Sequence, residues 1–76
     1  MNDKRRQEIR RATELIDQAK SMLESIMECG QESYDNLPES FQFGEKGEKS
    51  QNAIDNLQSS IDFLVDSIDY LGEAAQ

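Results

Sequence analysis

The sequence predicts an all-α fold: an antiparallel helical hairpin of coiled-coil type that dimerises into a four-helix bundle. Three observations carry this prediction. Ile54, Leu57, Ile61, Leu64, Ile68, Leu71 and Ala75 alternate at spacings of three and four without a miss, which is a heptad seam on one helix. A second apolar stripe of helical period runs from Ile9 to Cys29. Between the two stripes lies a short stretch with turn formers and the only proline, Pro38. The whole chain, residues 1–76, reads as one helical-hairpin domain, with helix 1 over about 3–33, a connection over about 34–43 and helix 2 over about 44–74.

Helix 1 is expected to start near Asp3, which can cap it. Ile9, Ile16 and Leu23 repeat every seven residues, and Ala12, Ala19 and Ile26 repeat with them at an offset of three. Leu15, Met22 and Cys29 form a third line beside these two. A stripe this wide fits a helix with more than one neighbour. Ala12 and Ala19 are small enough to admit a close helix, while Arg10, Arg11, Glu14, Asp17, Gln18 and Ser21 form the wet face. Gly30 is a stop signal, but continuation to about Ser33 costs only about 1 kcal/mol. Cys29, on the apolar flank, reads as a small buried hydrophobe.

In the connection, Asp35 and Asn36 favour a turn, and Pro38 disfavours helical geometry at Leu37 while suiting the first position of a helical turn at Glu39-Ser40. Tyr34, Leu37, Phe41 and Phe43 make this stretch apolar, as a plug over the end of the helix pair or as an exposed recognition loop. Helix 2 begins near Gly44 or Glu45. Its seam extends back to Gly47 and Ser50, small residues that fit a close backbone approach. Ala53, Ser60, Ser67 and Ala74 line one flank and Val65 the other.

Charge bounds function. Sixteen acids against eight bases give a net charge of −8, divided as +3 over residues 1–11 and −11 beyond. In an antiparallel hairpin Arg5, Arg6, Arg10 and Arg11 would meet Asp66, Asp69 and Glu73. The acidic body disfavours direct nucleic-acid binding. No apolar run approaches the roughly 20 residues of a membrane span, and no apolar segment follows the basic start as in a secretory signal. A cytoplasmic protein with a reduced thiol is expected. With no histidine and one cysteine, the chain lacks zinc-ligand sets, nucleophile–histidine pairs and paired cysteines. No catalytic residue, cofactor or metal site is expected, and the protein is not read as an enzyme.

Two features stand off the seam. Asp55, Asp62 and Asp69 are spaced by seven, with Asp66 and Glu73 as a second line. They read as a solvated face or as a partner face: a phosphate-like surface for a basic groove. Phe63 and Tyr70 are also spaced by seven and are read as projecting on the acidic side. Burial against a second chain accounts for them best. Leu15, Met22, Phe63 and Tyr70 are therefore the candidate self-association residues.

The segment Tyr34-Asp35-Asn36-Leu37-Pro38-Glu39-Ser40, followed by Gln42, Gly44, Glu45, Ala53-Ile54 and Leu57, resembles short helical-hairpin proteins of bacteria and phages. These share the Asn-Leu-Pro-Glu connection and an acidic second helix, and no activity is attached to them. The resemblance covers about residues 24–74, implies a hairpin and a phage or mobile-element source, and adds no site residues. Phe43, Gly47 and the basic start depart from its pattern. The expected function is a small acidic interaction protein that forms a homodimer through heptad seams. The alternative is a phage-type inhibitor that occupies a basic groove of a host protein through Asp55, Asp62, Asp66 and Asp69. A third class, a DNA-binding accessory protein using Lys4 and the four arginines, runs against the net charge.

Overall fold

A computed structural model describes residues 2–76. The chain forms α1 (Asp3–Asp35), a single turn α2 (Glu39–Gln42) and α3 (Glu45–Ala74), with no strand among the described residues. The fold is all-α. Asn2, rather than Asp3, caps α1: its side-chain oxygen accepts from the Arg5 backbone N–H at 2.8 Å. Asp3 sits in the first turn, where its carboxylate meets the positive end of the helix dipole and accepts from Arg6 at 3.0 Å. Gly30 does not end α1. The helix runs through it to Asp35, two residues past the expected limit, and closes at Asn36, whose N–H donates to the Glu32 carbonyl at 3.0 Å.

The connection is held by one side chain. The Gln42 amide donates to the carbonyls of Tyr34 at 3.1 Å and Leu37 at 3.2 Å, satisfying acceptors around the end of α1. α3 then passes so close to Gln42 that a Cβ on Gly47 would fall inside the Gln42 carbonyl. The buried Gly47 is therefore a packing requirement. Tyr34 and Leu37 are half-buried, but Phe41 is exposed and Phe43 is 82 % exposed. Only the first two of the four apolar residues expected to plug the end do so. Phe43 follows the last residue of α2, and from there its ring turns away from the helix pair.

α1 and α3 lie side by side and run in opposite directions. Gly30 stands level with Ile54, where a Cβ on the glycine would come 3.7 Å from Ile54 Cγ1. At the other end Arg6 Nε donates to the Gln76 carbonyl at 3.5 Å. The molecule measures 58 × 14 × 11 Å.

The core between the helices is thin. Among the described residues Ile54 (8 % exposed) and Ile61 (6 %) are its only buried apolar side chains, and α1 contributes none. Leu57, Leu64, Ile68 and Leu71 of α3 are half-buried on the same line. In α1, Ile9, Ile16 and Leu23 are half-buried, but the line beside them differs from expectation: it is Arg6, Thr13, Lys20, Met27 and Tyr34. Ala12, Ala19 and Ile26 are exposed. The line of Ile9, Ile16 and Leu23 keeps its place, and the helix is turned by about 50°, half the step between successive residues, from the arrangement that apolar content alone selects.

The polar residues on this seam are satisfied locally. Thr13 Oγ1 donates to the Ile9 carbonyl at 2.8 Å. Lys20 lays its stem along the seam and carries its ammonium out to Glu24 at 2.9 Å. That hydrogen bond, with the Glu24 charge, raises the Lys20 pKa. The expected pairing of the N-terminal arginines with Asp66, Asp69 and Glu73 does not form. Among the described residues every ion pair lies within one helix, as in Arg6–Asp3 and Arg11–Glu14. On α3 the flank nearest those arginines carries Val65 and Gly72, and the acids lie farther round the helix.

Candidate functional site

An α-helix advances about 100° per residue, so a line one position before a seam residue faces sideways from it. On α1 that line is Ala12, Leu15, Ala19, Met22, Ile26 and Cys29, itself spaced by three and four. On α3 it is Ala53, Asn56, Ser60, Phe63, Ser67, Tyr70 and Ala74, spaced likewise. Both lines are displaced in the same sense along chains that run in opposite directions and face each other. Both therefore emerge on the same side of the pair.

This face is open. Leu15 is 49 % exposed, Met22 65 %, and Phe63 and Tyr70 each 74 %, with Ile26 also exposed. Periodicity places Ile26 and Ala19 beside Ile9, Ile16 and Leu23 on the inner seam, and the rotation of α1 by about 50° delivers them here instead. Cys29 is exposed on the same line, not buried. From Ala12 to Cys29 and from Ala53 to Ala74 the face holds no charged residue, on a chain of net charge −8. Charge returns only at its ends, with Arg5 and Glu8 at one and Lys46 and Lys49 at the other. A groove of about 400 Å³ lined by Arg5, Glu8, Ile9, Ala12 and Leu71 opens at the first end. A second, of about 420 Å³, lies among Phe41, Glu45, Lys46 and Lys49 at the other.

The acidic residues occupy a different side. Asp55, Asp62 and Asp69 each follow a seam isoleucine by one residue and emerge on the opposite flank, with Asp66 and Glu73 along the back of α3. Phe63 and Tyr70 thus do not project on the acidic side: they precede Leu64 and Leu71 by one and fall on the uncharged face. Gln51 donates to Asp55 and Gln58 to Asp62, both at 3.0 Å, so two of the ridge carboxylates have intrahelical partners. Carboxylates seven apart stand about 10 Å apart along the helix, too far to share one ion. Among the described residues no three Asp, Glu or Cys side chains converge as metal ligands, and no helix is long and apolar enough to cross a membrane.

No family model, no curated protein and no solved structure matches the chain.

Proposed function

We propose that this chain is an antiparallel helical hairpin that acts as a non-enzymatic interaction protein, and that it self-associates through the uncharged face into a four-helix bundle. One observation carries this reading. The chain keeps a single face free of charge, and on that face Leu15, Met22, Phe63 and Tyr70 all stand exposed. A solvated surface on so acidic a chain has no need for such a segregation.

Surface area supports the same reading. The isolated chain exposes 5783 Å². A compact monomer of its mass exposes roughly 4,700 Å² by size scaling. With two buried isoleucines as its core, the chain gains from association what it cannot gain from a fold of two long helices. The face spans about 26 Å along α1 and about 20 Å across two helices, so two copies would cover roughly 1,000 Å² in total, which meets the lower bound for a specific interface.

The test is the dependence of thermal unfolding on protein concentration. For the native sequence the midpoint rises with concentration, because association stabilises the folded form by mass action. Leu15→Asp places a charge on the face and abolishes that dependence. A midpoint independent of concentration in the native protein would defeat the proposal.

A second reading has one observation in its favour. The flank bearing Asp55, Asp62, Asp66 and Asp69 turns away from the association face and stays free in a dimer, where it can enter a basic groove of another protein. Such binding weakens with salt and is lost in Asp62→Asn/Asp69→Asn.

A further inference from the structure

Two copies can stack this face in two symmetric ways, with their connections at the same end or at opposite ends. We propose that the second copy lies with its connection at the opposite end, on a two-fold axis that passes between the two Ala19 residues. The inference rests on the self-association reading above and fixes the register of that interface.

Side-chain size along the face carries it. If Ala19 meets its own copy, the smallest residues meet each other at the axis, Ala12 stands level with Ile26, and Leu15 and Met22 come within one residue of each other's level. Gly30 stands level with Ile54, so Ala19, eleven residues back, stands level with Val65, eleven residues on. A two-fold axis at that level relates positions of α3 symmetrically about 65. It pairs Phe63 with Ser67, Tyr70 with Ser60, and Ala74 with Asn56. Each aromatic meets a serine. The axis set by Ala19 is thus one that opposes large and small side chains along α3, as a packed layer requires. Connections at the same end would instead set α1 against the partner's α3 at equal level. Met22 would then fall within one residue of the level of Phe63 and Leu15 within one residue of that of Tyr70, with Ala19 midway between Phe63 and Ser67. Both aromatics would then meet large side chains instead of serines.

Charge agrees. Residues 28–49, around the connection, carry six acids and two lysines, a net charge of −4, whereas residues 1–11 carry +3. The opposed arrangement brings each acidic connection beside the partner's open end, where the +3 of residues 1–11 and the −3 of Asp66, Asp69 and Glu73 cancel. The alternative brings the two acidic ends together.

The opposed arrangement can be measured with a nitroxide on Asn36→Cys in a Cys29→Ser background, at the tip of the molecule and away from the face. Dipolar spectroscopy on the dimer should read roughly 50 Å, because each label stands 17 residues from the axis at 1.5 Å per residue. A separation under about 25 Å would place both tips at one end and overturn this register while leaving self-association standing. No dipolar modulation at any concentration would overturn self-association itself. A second variant tests the register without labels. Ala12→Ile alone should weaken the dimer at least tenfold, and adding Ile26→Ala should restore it, because the two positions face each other across the interface. Failure of the second change to restore what the first removes would contradict the register.

Discussion

α1 carries two heptad lines, and they differ in a direction that a monomer does not explain. The line against α3 contains Arg6, Thr13 and Lys20 among Ile9, Ile16, Leu23 and Met27. The line open to solvent contains only Ala12, Leu15, Ala19, Met22, Ile26 and Cys29 over the same turns. The outer line is purer in apolar residues than the inner one. Polar residues are tolerated on the inner seam because each has an exit: Thr13 bonds its own helix, and Lys20 reaches Glu24 at the edge. A helix whose less polar side faces water is a helix with a second neighbour. The comparison also locates the weak half of the molecule. Ile54 and Ile61, two turns apart, are buried, while the open end depends on half-buried Ile9, Ile16 and Leu71 around a groove.

Substitutions sharpen this contrast in order of effect. Ile61→Ala removes one of two buried side chains and should cost about 3 kcal/mol by chemical denaturation, a large share of so small a domain's stability. Phe63→Asp, on the outer face, should leave the inner seam's contacts intact yet reduce self-affinity at least a hundredfold, about 2.7 kcal/mol, measured by sedimentation. If Phe63→Asp unfolded the chain at high concentration as fully as Ile61→Ala, the distinction between the two lines would fail. Gly47→Ala drives a methyl into the Gln42 backbone and should cost about 1–3 kcal/mol, with the loss read at the connection by hydrogen exchange at Leu37 and Gln42. Gly72→Ala meets nothing within 4 Å and should stabilise α3 by about 0.5–1 kcal/mol in thermal unfolding.

Periodicity finds the helices because each is long, and finds the α3 seam because it is uninterrupted from Ile54 to Leu71. It misplaces the α1 seam for a physical reason. A pattern count prefers Ala12, Ala19 and Ile26 to Thr13, Lys20 and Met27, although a lysine stem and a back-bonded threonine serve at a thin seam. Tyr34 and Met27, spaced by seven and continuing back through Lys20, Thr13 and Arg6, are the signal that identifies the inner line. The same rotation explains why Cys29 is open and why Ile26 and Ala19 join Leu15 and Met22 outside. On α3, Phe63 follows Asp62 directly in sequence, which invites placing both on one side, yet successive residues diverge by about 100° and these two fall on opposite flanks. The cap moves from Asp3 to Asn2 because either side chain can accept from a free N–H, and only the backbone geometry decides between neighbours. Phe43 lies beyond any such pattern, since a connection has no period to read.

The central claim is that the uncharged face is covered by a second copy. Light scattering across a concentration series measures this most directly. The account predicts a mass of twice the 8.7 kDa chain at high concentration, falling toward the single chain on dilution. A mass of one chain throughout, with helicity retained, would contradict it and would leave Leu15, Met22, Phe63 and Tyr70 to a different protein.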